Sequence, residues 1–350
     1  MAEFGTSIRA MIMVRLREFF REPEEVFWTY GFPIVLAGGL GLAFRDKPAD
    51  QVPVGLATWT EAGAAQATAA LAVDSSFVVT SYADSTAAAL ALRAGKVALV
   101  VVPQAEGRFL YRYDDTRPEA AMARLRVDDR LQRAAGRADR AATADQVIRE
   151  RGSRYIDFLL PGLIGLNVMG SGVWGTGFSI VDARRRKLLK RLLATPMSRG
   201  EYLASFPLAQ LLLLVLEVGT ILLFGVLVFG VPVRGSLPAL VATAVAGSLT
   251  FGALGLLAAA RPTTIEGASG LMNLMLMPMW VLSGVFFPSA RFPEVIQPLI
   301  KALPLTALVD ALRLIMLEGA GLAAVAGQLA VLAVWLILGF LLALKIFRWT

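Results

Sequence analysis

The chain has 350 residues, of which 56% are hydrophobic, with a mean hydropathy of +0.63 and a formal net charge of +7. This composition is too apolar for an ordinary soluble domain and predicts a polytopic membrane protein. The sequence contains no cysteine and no histidine, which excludes disulfide scaffolds, the usual zinc sites, and catalysis by serine–histidine or cysteine–histidine pairs.

Residues 1–24 predict an amphipathic helix that lies in the lipid headgroup layer. Ile8, Met11 and Ile12 begin its apolar face, whereas Arg9 and Arg15 lie among polar positions. The alternative is a plain cytoplasmic leader. Residues 25–44 then predict a first transmembrane helix of about the length that a bilayer requires. No small-residue cleavage site follows this apolar run, which favours an uncleaved span over a secretory signal.

Residues 45–154 predict a soluble α/β domain, with a nearly balanced charge of 16 basic and 14 acidic residues. A helix is predicted over Ser85–Gly95. Alternating apolar residues predict strands at Val52–Thr58, Phe77–Ala83, Val97–Val102 and Arg108–Tyr113. The charged, alanine-rich stretch Arg117–Gly152 predicts a long helix that returns to the membrane. Its Asp128-Asp129 pair has no second acidic cluster beside it, so a solvated helix face is favoured over a metal site.

Residues 155–350 predict transmembrane helices two to six. These spans are expected at about 155–181, 203–229, 238–260, 263–287 and 322–344. Proline-containing short helices are expected at about 288–320, at the outer surface. Span two contains the stretch GSGVWG, Gly170–Gly175, which matches a dinucleotide-binding pattern. Because the stretch lies inside an apolar span, close helix packing is the better interpretation.

The distribution of basic residues predicts the orientation of the chain. Under this topology about 14 Lys and Arg fall in short segments on one side and about 4 on the other. The excess marks the cytoplasmic side, so both termini are expected there and the 45–154 domain outside. The predicted fold is a polytopic α-helical membrane protein with six transmembrane helices and an α/β extracytoplasmic domain between helices one and two.

The stretch Val181–Tyr202 predicts a short basic amphipathic helix between spans two and three. Leucines at helical spacing alternate with basic residues, and Thr195-Pro196 is expected to end the helix. Such a helix can contact a cytoplasmic partner, or it can lie on anionic lipid with no partner. The sequence pattern leaves both interpretations open.

Glu217 is the only acidic residue well inside a predicted span. A carboxylate there must be paired, be protonated or face water, because burying its charge costs several kcal/mol. Asn167 and Asn273, on neighbouring spans, are candidate partners, and Met275 belongs to a group of methionines that can form a deformable apolar surface. These four residues are either points on a translocation pathway or ordinary packing and hydrogen bonding within the bundle.

The sequence contains no G-x-x-x-x-G-K-[ST] motif for nucleotide hydrolysis; Gly95-Lys96 is followed by Val97 and has no upstream glycine. If the protein moves a solute against a gradient, the energy is expected to come from another chain or from an ion. No cofactor is expected in this chain, and no nucleic-acid partner.

Two stretches resemble the type-2 permeases of ATP-binding-cassette (ABC) transporters. VDARRRKLLKRLLATPMSRGEYL resembles the loop between spans two and three of that family, where R-L-L-A-T-P and a following S-R are characteristic. LSGVFFPSARFPEVIQPLIKALPLTALVDALR, Leu282–Arg313, resembles the end of span five and the following outer loop. The resemblance covers the whole chain in layout.

The resemblance implies a permease subunit without its own nucleotide-binding site. Residues 1–24 would be the connecting helix, and residues 183–195 the coupling helix that docks on a separate ATPase, which binds ATP and Mg. The coupling residues implied are Arg184, Arg185, Lys187, Leu188, Leu189, Arg191, Leu192, Leu193, Thr195 and Pro196. Two permeases, identical or homologous, and two ATPase subunits would form the transporter. It would sit in a bacterial plasma membrane and export a hydrophobic or amphiphilic drug, antibiotic or lipid-like substrate.

Two other functional classes compete with this interpretation. A membrane-anchored sensor or scaffold, whose outer domain binds a ligand or an envelope partner, would explain residues 45–154 but not the coupling-helix motif. An intramembrane enzyme acting on lipid is disfavoured, because the sequence offers neither histidine nor cysteine nor an acid pair inside the membrane.

Overall fold

The computed structural model divides the chain into two compact units, 46–148 and a membrane unit formed by 1–45 and 149–350. The residues that the structure describes are 13, 17, 19–43, 51–60, 63–138, 152, 154–185 and 199–347, without the side chains of 25, 106 and 199–209. The amphipathic helix predicted for residues 1–24 lies largely outside them.

The first part of the membrane unit is one continuous helical stretch with a widened turn. It comprises α1 (Pro23–Val26), a π-helical turn over Phe27–Gly31, and α2 (Phe32–Ala43). Pro23 at the first helical position fits the helix start, since proline has no amide hydrogen to leave unpaired there. The apolar helix over Phe27–Ala43 is shorter than the other long apolar helices of the unit, so a first span over 25–44 stays a prediction.

The 46–148 unit is a four-stranded mixed sheet covered by helices. Its elements are β1 (Val52–Ala57), α3 (Ala64–Ala72), β2 (Phe77–Tyr82), α4 (Ser85–Arg93), β3 (Leu99–Pro103), β4 (Phe109–Tyr113) and α5 (Pro118–Ala134). The strand order is β2-β1-β3-β4, with β1 parallel to β2 and β3, and β4 antiparallel to β3. The predicted positions of the strands and of the intervening helix are confirmed.

Both faces of this sheet are buried. On β3, Leu99 and Val101 join the core under α3 and α5, whereas Val100 joins the core under α4. The alternation follows from the two-residue period of a strand. Parallel crossovers are right-handed. The connection from β1 to β2 and the connection from β2 to β3 run in opposite directions along the sheet, so they place α3 and α4 on opposite faces.

The long helix predicted over Arg117–Gly152 is wrong in its described part. Helix α5 ends at Ala134, and Gly136 has φ 98°, a left-handed conformation that glycine adopts without a Cβ penalty. Alanine-rich charged sequence favours helix at every position, but this glycine ends it. Residues 139–151 lie outside the described part of the chain.

The rest of the membrane unit is helical. Its elements are α6 (Tyr155–Gly170), a π-helical turn over Ser171–Gly175, α7 (Thr176–Arg185), α8 (Arg199–Phe229), α9 (Leu237–Ala259), α10 (Ile265–Leu282), α11 (Gln297–Ala302), α12 (Pro304–Glu318) and α13 (Ala326–Ile346). Single 3₁₀ turns over Ser289–Arg291 and Glu294–Ile296 precede α11. The N-cap of α10 is Thr264, whose hydroxyl accepts from Gly267 N.

Among the described residues, five helices are long and apolar enough to cross a membrane. They are Tyr155–Arg185, Gln210–Phe229, Leu237–Ala259, Ile265–Leu282 and Ala326–Ile346. The chain is therefore a multi-pass, mostly helical membrane protein with a small mixed sheet. Six spans, and an outer location for the 46–148 unit, remain predictions.

The glycine-rich stretch of span two packs closely against α9. A Cβ added to Gly172 would lie 2.7 Å from Phe251 Cβ, and one added to Gly255 would lie 2.6 Å from the carbonyl oxygen of Val173. Small residues allow two helix backbones to approach this closely. The interpretation of GSGVWG as a packing motif is confirmed, and span two is the most deeply buried of the five long helices.

Candidate functional site

A buried carboxyl group lies inside the membrane unit. Glu217, on α8, is 1% exposed, and Ser171 Oγ donates a hydrogen bond to its Oε2 at 2.8 Å. The second oxygen, Oε1, has no hydrogen-bond partner among the described residues. A carboxyl group in apolar surroundings is costly unless its oxygens are hydrogen-bonded. Glu217 therefore retains the capacity to accept or share one further hydrogen bond.

The asparagines that the sequence suggested as partners of Glu217 lie elsewhere. Asn167 Nδ2 donates to the carbonyl oxygen of Thr29 at 3.0 Å, and Asn273 is exposed on α10. The described partner of Glu217 is Ser171, which sequence reasoning missed because a serine in an apolar helix is usually bonded to its own backbone. Ser171 lies on a widened turn of the helix, and such turns cannot be recognised in a sequence, so no sequence signal identifies it.

Two π-helical turns adjoin this polar group. One spans Phe27–Gly31 and the other Ser171–Gly175, and both pack in the same unit as α8. A π turn widens the helix locally and shifts its carbonyl groups, and such turns occur frequently at functional positions. The first turn supplies the Thr29 carbonyl to Asn167, and the second supplies the Ser171 hydroxyl to Glu217. The first π turn, span two and α8 are thus joined by polar contacts.

Two further polar atoms belong to the same region. Tyr30 follows Thr29 in the first π turn, and its hydroxyl is buried and has no hydrogen-bond partner among the described residues. Gln210 lies two helical turns before Glu217 on α8, beside Gly175. Its Nε2 is also buried and has no hydrogen-bond partner among the described residues. Tyr30, Ser171, Gln210 and Glu217 are called the polar cluster below. Ser171, Gln210 and Glu217 thus lie where span two meets α8, and Asn167 lies one turn before Ser171.

Helix α10 carries the remaining predicted pathway residues on two different faces. Met275 is half-buried, and Met272 is fully buried against Gly177, where an added Cβ would overlap the methionine. Asn273 lies on the exposed face with Leu274 and Met277. The structure brings Glu217 and Asn167 into adjoining parts of the bundle, and it places Asn273 on the surface of the unit.

The predicted coupling residues fall into two groups. Arg184 and Arg185 belong to the last turn of α7, so the helix of span two continues into the segment predicted over 183–195. Arg185 is exposed. The others lie outside the described residues: Lys187, Leu188, Leu189, Arg191, Leu192, Leu193, Thr195 and Pro196.

Arg184 is directed into the unit rather than to its surface. Its side chain is 9% exposed, and its guanidinium donates to three carbonyl oxygens at the end of α9, those of Ala259 (3.1 Å), Ala260 (3.3 Å) and Pro262 (2.6 Å). The last carbonyls of a helix lack partners within the helix and carry a partial negative charge. Arg184 therefore donates hydrogen bonds to the unpaired carbonyl groups at the end of α9 and offsets their partial negative charge.

A second arginine, Arg313, makes similar contacts at the opposite end of the bundle, where its side chain is 14% exposed. Arg313, on α12, donates from Nη2 to the carbonyl oxygen of Gly284 at 2.6 Å, and its guanidinium lies 3.7 Å from the centre of the Phe158 ring. Tyr155 Oη adds a bond to the carbonyl oxygen of Phe286. These contacts join α12 and the start of span two to the turn after α10, which carries the L-S-G-V-F-F-P stretch.

Most of the chain matches one family of known proteins. The family model described as "ABC-2 family transporter protein" matches residues 25–345. The chain is 28% identical over 170 residues to ABC transporter G family member 20 of Dictyostelium discoideum, a match that covers 49% of this chain and 23% of that protein. It is 28% identical over 204 residues to Nodulation protein J of Bradyrhizobium diazoefficiens, covering 57% of this chain and 76% of that protein.

The family match includes all five long apolar helices, the polar cluster and the segment between α7 and α8. It extends well beyond the two short motifs, from the first apolar helix into the last one. The chain belongs to the ABC-2 family of transporter proteins, whose members are transport membrane subunits with the ATPase activity in a separate subunit.

Proposed function

We propose that this chain is the membrane-spanning permease subunit of an ABC exporter. It moves a hydrophobic or amphiphilic substrate, of the drug, antibiotic or lipid-like class, out of the cytoplasm or the inner leaflet. The family match over residues 25–345 is the observation that carries the proposal. The membrane is a bacterial plasma membrane, with both termini in the cytoplasm and the 46–148 unit outside, as the asymmetry of basic residues predicts.

The ATPase docks on the segment 183–195. Basic residues give this segment a charged face, and Leu188, Leu189 and Leu192 give it an apolar face for a protein cleft. The segment directly continues the helix of span two, which is the most deeply buried long helix of the bundle. A displacement of the segment therefore acts on the centre of the membrane unit.

A second permease, identical or homologous, covers α10. This helix exposes Asn273 among Leu274, Met277 and Val281, and lipid chains offer no hydrogen-bond partner to an amide side chain. The substrate passes between the two permeases, near spans two and five. Glu217 lies inside one permease, so the substrate reaches the polar cluster only when spans one, two and three separate.

A second candidate function is favoured by one observation, the self-contained core of the 46–148 unit. A membrane-anchored sensor or scaffold would use such a unit to bind a ligand or an envelope partner. Copurification separates the two functions. An ATPase that copurifies with the full chain supports the exporter, and purification of the chain without any ATPase supports the sensor.

The docking assignment is tested by Leu188→Asp and Leu192→Asp in the full chain. A charge on the apolar face opposes burial in the ATPase cleft, so both variants should lose the copurifying ATPase and the stimulation of its ATP hydrolysis. Leu90→Asp is the matched control, because Leu90 is 67% exposed on α4 in the other unit. Unchanged copurification and stimulation in both variants would show that the ATPase docks elsewhere.

The orientation is tested with single-cysteine variants, which the natural absence of cysteine makes straightforward. A membrane-impermeant maleimide should label Leu90→Cys in intact cells and Arg199→Cys only after permeabilisation. Labelling of Arg199→Cys in intact cells would reverse the assigned orientation and contradict the exporter with it.

A further inference from the structure

We propose that Arg184 is a positioning residue that transmits movement of the coupling segment to the junction between α9 and α10. The inference rests on the proposed function, since it takes the segment 183–195 as the place where the ATPase acts. It differs from docking, because the Arg184 side chain is buried within the permease.

The first observation is the way in which the guanidinium holds the end of α9. Nη1 donates to the carbonyl oxygens of Ala259 and Pro262, and Nη2 donates to that of Ala260. Ala259 is the last residue of α9, and Pro262 lies in the short connection before Thr264, the N-cap of α10. A single side chain therefore spans the end of one long apolar helix and the approach to the next.

The second observation is a contact on the other side of the same group. The guanidinium carbon lies 5.1 Å from the centre of the Phe347 ring, which directly follows α13. A guanidinium packed against an aromatic ring is held in orientation as well as in place. Arg184 thus joins the ends of three helices: α7, which carries it, α9 and α13.

These contacts determine what can move when the coupling segment moves. Arg184 lies one residue from the end of α7, and the predicted segment continues from there. Its backbone must follow any displacement of the α7 end. The side chain is charged and buried, and losing its carbonyl partners would leave that charge uncompensated. The connection after α9 therefore moves with α7, and α10, which carries Met275 and Asn273, moves at its first turn.

A purely structural arginine would stabilise the fold without carrying movement, so the test must detect movement. The chain has no cysteine, and Thr263, in the connection, is exposed. A bimane fluorophore on Thr263→Cys reports the surroundings of the connection in the full chain with its copurified ATPase. Addition of the non-hydrolysable ATP analogue AMP-PNP should shift the emission of this label.

The decisive variant is Arg184→Gln, which is compared with Lys345→Gln. Arg184→Gln should retain the copurifying ATPase but lose the AMP-PNP-induced emission shift, because a glutamine amide cannot hold three carbonyls. Lys345→Gln is the matched control, since Lys345 is an exposed basic residue in the last turn of α13, two residues before Phe347, and it should keep the shift. Arg184→Lys keeps the charge without the planar fork and should show a reduced shift. An undiminished shift in Arg184→Gln would overturn the inference.

If Arg184→Gln does not elute as a single species in size-exclusion chromatography, the test relies on Arg184→Lys. An undiminished AMP-PNP-induced emission shift in Arg184→Lys would then overturn the inference. The two proposals fail differently. Retention of the ATPase by Leu188→Asp and Leu192→Asp contradicts the docking segment. Loss of the ATPase in those variants, combined with an undiminished shift in the Arg184 variants, contradicts only the role of Arg184.

Discussion

Arg313 and Gly284 are joined by a hydrogen bond of 2.6 Å from the guanidinium Nη2 to the glycine carbonyl oxygen. The bond links α12 to the turn that ends α10, and the two bonded residues are 29 positions apart in the sequence. The same guanidinium donates to the carbonyl oxygen of Phe158 from Nη2 at 3.3 Å and from Nε at 3.4 Å. One side chain therefore fixes three segments at the end of the bundle opposite Arg184.

We expect Arg313→Lys to destabilise the membrane unit by about 2 kcal/mol, because an ammonium group cannot reach both carbonyls in the geometry of the planar fork. Thermal unfolding of the full chain in detergent measures the loss as a lower Tm. Arg291→Lys is the matched control, since Arg291 is exposed on a 3₁₀ turn. An equal Tm for Arg313→Lys and the wild type would show that these bonds contribute nothing to stability.

We expect Gly255→Ala to destabilise the unit by about 1–3 kcal/mol, the usual cost of overpacking a tight core. The added methyl group would lie 2.6 Å from the carbonyl oxygen of Val173 and 2.9 Å from that of Gly172, and backbone atoms cannot move aside as a side-chain tip can. Gly219→Ala is the control, because an added Cβ there meets nothing within 4 Å. Its Tm should be unchanged or higher, since alanine favours helix over glycine. Matching Tm values for Gly255→Ala and Gly219→Ala would contradict close packing of span two on α9.

The start of α4 should lose protection in acid. Hydrogen bonds from the backbone amides of Thr86 and Ala87 hold the pKa of Asp84 below its usual value, because they stabilise its charged form. A lowered pKa in the folded state contributes stability above the unfolded value of about 3.9, and this is lost as pH falls through the folded value. The hydrogen–deuterium exchange protection factors of residues 85–93 in the full chain, corrected for the intrinsic exchange rate at each pH, should therefore fall below about pH 4.

Asp84→Asn provides the control for that measurement, because asparagine caps a helix without titrating. Protection of the first turn of α4 should then stay constant across the same acid range. If Asp84→Asn still lost protection in acid, the effect would belong to another titrating group.

We expect Glu217→Gln to alter transport without altering assembly. The glutamine carbonyl oxygen can still accept from Ser171, but the side chain can no longer carry a negative charge in the polar cluster. Efflux of a lipophilic fluorescent dye from membrane vesicles measures transport, and the ratio of copurified ATPase measures assembly. Glu318→Gln, at an exposed position at the end of α12, should leave both unchanged. Normal efflux by Glu217→Gln would leave Glu217 with a structural role alone.

Sequence patterns predicted the structure well wherever it depends on the local periodicity of apolar residues or on the length of an apolar run. The strands of the 46–148 unit follow apolar alternation, and the span ends near Phe229 and Ala259 follow polar or glycine-containing sequence. The span predicted to end near 287 ends at Leu282, shortly before Gly284, which has φ 72°. The partners of buried polar groups were not predictable in this way. Ser171 bonds to Glu217 across 46 residues, and Arg184 bonds to Pro262 across 78. Nothing local in either sequence identifies the second member of the pair.

The sequence by itself determined the membrane class, the approximate spans, the strands of the α/β unit and the family, because composition, periodicity and short motifs are properties of neighbouring residues. Only the tertiary structure decided that Arg184 is buried against the end of α9, that Asn167 bonds to Thr29 rather than to Glu217, and that Asn273 is exposed. The physical reason is that a buried polar group is satisfied by whichever donor or acceptor the packing of distant helices brings within about 3 Å.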